Sequence, residues 1–520
     1  MQVTYLGHAG LLVDTAGGSV VCDPWFNPAF HGSWFVFPRN DQLPAELMER
    51  IRTADYLYIS HLHDDHLDRA FLRDHVDKTT TVLLPGFPTG ELRRELEALG
   101  FTTFEATTSG TPVQLGDLEI TICTETAIAD GPGGDSAIVI ADASGRLLNM
   151  NDCRPNDWAA LLAGGPIDLH FLQFSGAIWY PIVYEEEPEV WDRLCRAKRE
   201  SQLSRAVRYV RSIDARAVFP SAGPPAFLDP ELSRFNDTDA DPASIFPDAL
   251  VFLDRLVSDG IDSGRFVVPG STVTVDNRVD DRVAITHLAD EAATLEPYRH
   301  KRAYLERYAA DYAGWLDQMK SNWSPARPDL LDRLRDWWEP LLVSAPRTRV
   351  GIGAGALLRL TGDEPLDVYL DFPGAEVREW AGEPYKFRFT IDRRLVETVV
   401  DRHLIDWSNG LFLSCRFSAW RDGSYNEYLY NFFKSLSPER MARAEAQAAK
   451  DAKGSDDGDE IRCGGFIIER WCPHRQADLG AFGHVDGATL ECAMHGWKFD
   501  LTTGACLTTP RWRKLRVRPA

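Results

Sequence analysis

"ISHLHDDHLD", residues 59–68, sets three histidines and three aspartates into ten positions, directly after the apolar run "ADYLYI". The whole chain has 13 histidines, so three within six positions is a concentration with a chemical purpose. The apolar run predicts a short buried strand. At its extended end alternate residues share one side, which points His61 and His63 the same way. The turn that follows aims Asp65 and His66 at a neighbouring point. An H-x-H-x-D-H stretch placed so suits two adjacent metal ions better than one.

Outward from that stretch, 520 residues are too many for one hydrophobic core, and roughly two to four domains are expected. A hydrophobic share of 44% with 26% charged residues is that of an ordinary soluble chain. No apolar run reaches membrane-spanning length. The opening "MQVTYLGHAGLLVD" lacks the basic start and cleavage site of a signal peptide, so a cytoplasmic location is expected. Nine cysteines, an odd number, argue against a disulfide framework. The net charge of −22 disfavours nucleic-acid binding, which needs a basic footprint, and reads as a solubility feature.

Residues 1–290 mix short apolar strands with helical patterns, which suggests a layered α/β domain. Residues 291–445 combine a helical stretch, whose tyrosines and tryptophans recur at core-packing intervals, with a small α+β unit. Residues 446–460, "AQAAKDAKGSDDGDE", read as a linker, and 461–520 as a small all-β domain. The basic residues of "RLCRAKRESQLSRAVR", 193–208, form a solvated helix face or bind a substrate phosphate or carboxylate.

The metal motif resembles the metallo-β-lactamase superfamily. "YLGHAGLLV" and "VVCDPWF" resemble the opening of its branch with G-H-[AS] and D-P motifs, and "LLNMNDC" the strand that delivers a metal-bridging aspartate, here Asp152. The resemblance spans roughly residues 1–275 and implies an αββα sandwich. His61, His63, Asp65, His66 and Asp152 are the implied ligands, with His8 in a supporting role. Where most hydrolases of the superfamily supply a further histidine, this chain offers Glu125, and Ser221 stands where the last histidine usually falls. Oxygen ligands suit iron better than zinc. Carboxylates also resemble the ligand sets of the superfamily's di-iron hydroxylases and flavodiiron proteins. His170, inside an apolar strand, is either a replacement ligand or structural.

A second cluster is Cys472-x-His474, seventeen residues, then Cys492-x-x-His495. One Cys–His pair on each of two loops can ligate a Rieske [2Fe–2S] cluster, the cysteines on one iron and the histidines on the other. A zinc site could use the same residue types. The C-x-H order and the "HGW" after the second histidine resemble Rieske oxygenases more closely. Neither loop carries the extra cysteine of the cytochrome-complex proteins, and Cys463 and Cys506 only flank the motif.

A hydrolytic zinc site needs no electrons, so a Rieske cluster in the same chain implies that the first site is redox-active. The combination resembles the cytidine monophosphate-N-acetylneuraminate hydroxylases, which carry the Rieske module at the other end. Residues 345–436 resemble a sterol-carrier-protein-like module. The resemblance implies a non-haem di-iron monooxygenase or hydroxylase of a small polar metabolite, using molecular oxygen and electrons from a ferredoxin with its reductase, or a flavin reductase. N-oxygenation of an amine is a variant. The alternatives are a zinc hydrolase of an ester or phosphodiester with a redox-sensing Rieske module, and a non-catalytic electron-transfer protein. The basic end "RWRKLRVRPA" reads as a docking patch for an acidic donor or as the last strand of the small domain.

Overall fold

The computed structural model describes residues 1–127, 133–155, 158–176, 178–238, 244–276, 282–453, 460–474, 477–492, 496–509 and 513–520. His495 and Arg511, both singled out in the sequence, lie outside them. Two compact units result. One is Met1–Thr126, Gly133–Ile182 and Asp192–Met319; the other takes Val183–Trp191 and Lys320–Ala520.

Strict alternation of side chains builds the first unit. From the strands Gln2–Gly7, Gly10–Thr15 and Gly18–Cys22, the side chains of Val3, Tyr5, Leu11, Val13, Val20 and Cys22 share one core with Ile120, Ile138, Phe171 and Phe219 of a second sheet. The intervening Leu6, Leu12 and Val21 enter another core, with Ile51, Phe71 and Leu96 of the helices Ala45–Arg52, Arg69–His75 and Glu91–Ala98. The first sheet has eight strands, and the second runs Ala217–Ser221, Leu169–Gln173, Gly145–Asn149, Asp135–Asp142, Leu118–Glu125, Val113–Leu115. The helices Pro188–Ile213 and Ala249–Ser258 bury Val207, Val210, Phe252 and Leu256, and the Phe252 ring stacks on Phe174 just past a strand of that sheet. The result is the αββα sandwich that the sequence leads one to expect.

Tyr56–Tyr58 lies parallel to Gly18–Cys22 in the first sheet, and Gly145–Asn149, Leu169–Gln173 and Ala217–Ser221 lie parallel in the second. Parallel strands gather their C-terminal ends along one edge, where open α/β sheets bind ligands.

His170 sits mid-strand, fully buried, its Nε2 3.0 Å from the Met150 sulfur. Burial pulls the ring down to about 3, so it is neutral when folded. The unfolded chain holds its proton near pH 6.5, so this contribution is complete above that pH and is lost as pH falls towards 3. We expect His170→Leu to lessen the loss of stability between pH 7 and pH 5 by about 2 kcal/mol. Urea unfolding at the two pH values measures it, and equal losses in both proteins would refute it.

Residues 291–319 belong to the first unit, a difference from the boundary expected at 290. The helix Lys301–Ser321 lays Tyr304, Tyr308 and Tyr312 on Phe35 and Phe37, and this aromatic seam holds it there.

The second unit contains a five-stranded sheet in the order Glu376–Glu379, Leu366–Asp371, Ala356–Thr361, Phe387–Asp392, Phe417–Arg421. Trp338 and Trp407 meet edge-on at 4.9 Å, and Phe389 stacks on Phe412 in the same core. The expected linker is helical in its first half, because Pro438–Lys453 continues through "AQAAKDAK", a run of strong helix formers. Beyond it come two three-stranded sheets. One comprises Glu460–Cys463, Phe466–Glu469 and Val517–Pro519; the other comprises Gly483–Asp486, Thr489–Cys492 and Trp497–Asp500. Among the described residues no helix is long and apolar enough to cross a membrane.

Candidate metal centre

Each candidate ligand of the first unit stands at or just beyond a strand end. His8 follows Gln2–Gly7, the 61–66 turn follows Tyr56–Tyr58, Asp152 follows Gly145–Asn149, and Glu125 closes Leu118–Glu125. His8, Asp23 and Asn151 all adopt left-handed backbone, uncommon for residues other than glycine, and such geometry clusters at functional sites. Gly7 beside them has φ +104°, and a Cβ there would lie 2.7 Å from Val36 Cγ1, so the turn that presents His8 requires glycine.

The side chains converge. His8 Nε2 lies 3.2 Å from Asp65 Oδ2, and His66 Nε2 lies 3.8 Å from the same oxygen and 3.7 Å from Asp152 Oδ1. His61 Nε2 is 2.7 Å from His63 Nδ1. Two trios, His8–Asp65–His66 and His61–His66–Asp152, each bring one ligand atom per residue within 4.8 Å of the others. Among the described residues, and apart from the 3.2 Å approach of His8 to Asp65, buried His8 Nε2, His66 Nε2 and both Asp65 oxygens have no hydrogen-bond partner of good geometry. Buried polar atoms are normally satisfied, so four orphans at one point fit metal ligation.

The field agrees. Burial, then the neighbouring His66, His63 and His8, hold His61 well below the usual histidine range, in the neutral form a metal needs. Burial disfavours charge on His66 too, but Asp65, Asp23 and Asp152 outweigh it and call for positive charge there. Asp65 is driven the other way: burial raises it, and His66 and His8 bring it down to about 2. Asp23, fully buried, accepts from His66 Nδ1 at 2.8 Å and from the Ser60 hydroxyl, and so turns His66 Nε2 towards the ligand trios.

Several placements differ from the sequence reading. His8 stands among the ligand atoms rather than behind them. Glu125 is in neither trio; its electrostatic neighbours include Cys153 and Tyr209. Directly across the ladder from it is Asp135, whose Oδ1 lies 3.4 Å from His61 Nδ1. Burial and the nearby Asp152 push the Asp135 carboxyl well above the usual range. Gln173 was also missed: its Nε2 donates to Asp152 Oδ1 at 2.5 Å, and in the strand ladder it pairs with Ser221. His170 lies in the strand interior and joins neither trio.

In the second unit Cys472 and Cys492 are buried, and among the described residues no cysteine pairs in a disulfide. The His474 ring stacks on Trp497 at 3.9 Å, and Trp497 faces Cys492 across the ladder. The tryptophan of "HGW" thus ties one loop to the other. Burial, with Lys434 nearby, keeps His474 well below its ordinary range and hence neutral. The residues present suit a Rieske cluster. The basic end is largely committed: Arg513 pairs with buried Glu469, Arg518 with Glu460, and Val517–Pro519 is the edge strand beside Phe466–Glu469.

Comparison with known proteins agrees with this layout. A Beta-lactamase superfamily domain matches residues 2–134, an Rv3818-like, SCP2-like domain matches 330–450, and a Rieske [2Fe-2S] domain matches 455–519. A Rieske 2Fe-2S iron-sulfur protein of Mycolicibacterium smegmatis is 45% identical over 517 residues, covering 98% of both chains. The chain belongs to this family. Its relative Rv3818 from Mycobacterium tuberculosis is 44% identical over 523 residues, covering 99% of each. The cytidine monophosphate-N-acetylneuraminic acid hydroxylase of Mus musculus is 28% identical over 244 residues, which are 43% of this chain and 39% of that one. Among solved structures, a metallo hydrolase from Ignicoccus hospitalis matches with TM-score 0.35 and 15% identity over 55% of this chain and 99% of its own. CmlA, a diiron β-hydroxylase from Streptomyces venezuelae, matches with TM-score 0.34 and 17% identity over 55% and 54%. A Rieske domain brings electron-transfer chemistry, so this family member is an oxidoreductase.

Proposed function

We propose that the chain is an oxygen-dependent hydroxylase or N-oxygenase of a small polar metabolite, with electrons delivered through the Rieske domain to two iron ions in the first unit. The observation that carries this reading is the presence, in one chain, of a Rieske domain and a buried trio-sharing site of histidines and carboxylates. The partial similarity to a hydroxylase supports it.

His61, His63, Asp65, His66 and Asp152 would hold the irons, with His8 and Asp135 beside them. Irons bound there would supply a place for dioxygen to be activated by reduction. The protein's own part is orientation. Asp23 fixes His66, Gln173 fixes Asp152, and burial keeps His61 neutral. Insertion of one oxygen atom into a C–H or N–H bond uses two electrons and two protons from outside the substrate, and the second oxygen atom leaves as water. A Rieske cluster held there would pass one electron at a time, so an external ferredoxin or flavin reductase would have to supply two electrons per turnover.

Metal analysis of anaerobically purified protein tests the reading. About four irons and two sulfides per chain are expected, two irons in the cluster and two in the first unit. Two irons with two zincs would overturn it in favour of a hydrolase.

A further inference from the structure

The helix Pro188–Ile213 does not present its basic residues to solvent alone. Lys198, Gln202, Arg205 and Tyr209, spaced by four, three and four, share one face. Gln202 is 1% exposed, Arg205 7% and Tyr209 2%, so this face turns into the first unit. Gln202 anchors it: with its amide oriented to satisfy both neighbours, it donates to the Ile245 carbonyl and accepts from Gly176 N–H. Other cations of the same helix are paired, Arg196 with Asp192 and Arg199 with Asp237. Among the described residues Lys198, Arg205 and Arg154 have no ion-pair partner.

These three cations repel one another electrostatically. Burial, then Arg205 and Arg154, pull the Lys198 ammonium down to about 7; burial, then Arg154, pull Arg205 down to about 9. The Tyr209 hydroxyl and Arg154 Nε, both buried, have no hydrogen-bond partner among the described residues. The carboxylates that act on the group are Asp152 on Arg205, Glu125 on Tyr209, and Asp135, which stands against His61 and interacts with Arg154. Asp152 is a metal ligand in the reading above and so is not free to neutralise guanidinium groups. Arg205 is buried and Lys198 and Arg154 are half-buried, and a chain seldom buries a cation without a paired counter-charge, because desolvation is then uncompensated.

We propose that Arg205, Lys198, Arg154 and the Tyr209 hydroxyl form the seat for an oxyanion, the carboxylate or phosphate group of the substrate, beside Asp152. This names the substrate class of the site and rests on the oxygenase reading for what is then done to the bound molecule. Guanidinium forks suit both groups through paired N–H donors.

The test uses the full metal-loaded chain, without reductant or oxygen, titrated with inorganic phosphate and separately with succinate. Calorimetry and the melting temperature are the readouts. At least one of the two anions should bind and raise the melting temperature. Phosphate alone points to a phosphate ester, and succinate alone to a carboxylic acid. Arg205→Met should weaken binding at least about tenfold, with iron content and cluster spectrum unchanged. In anion-free buffer it should melt no lower than wild type, since it relieves a buried charge. Lys198→Met serves the same purpose should Arg205→Met fail to fold, and Arg196→Met should bind as wild type does. Absence of binding by either anion, or equal binding by both Arg205→Met and Lys198→Met, would overturn the seat. So would an Arg205→Met protein that folds but melts well below wild type without anion. Failure of the oxygenase reading would appear instead as zinc in the first unit and would leave these binding results unchanged.

Discussion

Changing Cys472 to serine should remove the visible absorption of the cluster and all product formed with an external reductant, while the metal of the first unit stays in place. Cys472 follows the strand Phe466–Glu469, is fully buried, and its amide donates to the Ala477 carbonyl at 2.8 Å. Serine fits that space but offers no thiolate, and thiolates hold one iron of a Rieske cluster. His474→Ala should act alike through the other iron, and it also strips the ring that stacks on Trp497. Independent loading is expected because the two sets of ligands fall in separate compact units. Visible and paramagnetic-resonance spectra report the cluster, and total iron reports the remainder. Loss of both metal sets from Cys472→Ser would contradict independent loading. Full turnover by a cluster-free protein would remove the Rieske domain from the reaction.

What the sequence made legible was whatever is local. His61, His63, Asp65 and His66 lie within six residues, so strand alternation and one turn suffice to bring them together. The Cys–His pairs are legible for the same reason. Asp135 and Gln173 were missed because each is an ordinary strand-end polar residue, and only the sheet register sets one beside His61 and the other beside Asp152. A closer look at the hairpin could have found Asp135, since it opens the strand that must pair with the one ending in Glu125. The role of His8 depended on where the Gly7 turn points, which a motif does not tell. The cationic helix face was illegible because basic residues occur on nearly every turn of 193–208, and burial of one face follows only from packing. Residues 446–453 show the converse: their small, charged composition reads as a linker, yet "AQAAKDAK" is a run of strong helix formers and continues the helix Pro438–Lys453.

Asp152→Ala should empty the first unit of iron and reduce product to background, while the cluster is still reduced as in wild type. Asp152 has few alternatives around it. Its Oδ1 lies 3.7 Å from His66 Nε2, and the loop that carries it is fixed on three sides. Asn151, in left-handed backbone, accepts from the Asp152 amide at 2.6 Å and donates to the Ser136 carbonyl at 2.9 Å, and Asn149 accepts from the Asn151 amide. Gln173 holds the carboxylate itself. A carboxylate so constrained is not replaced by a neighbour sliding in, and alanine leaves the buried His66 nitrogen facing one carboxylate fewer. Gln173→Leu keeps the ligand and removes its support, so a loss of about 10- to 100-fold in iron affinity or kcat/KM is expected. Iron content after dialysis against a chelator, compared across wild type, Gln173→Leu and Asp152→Ala, should fall in that order. The order matters more than any one value. Should Asp152→Ala retain full iron, the site would have to be built on Asp135 instead, the carboxylate that stands against His61.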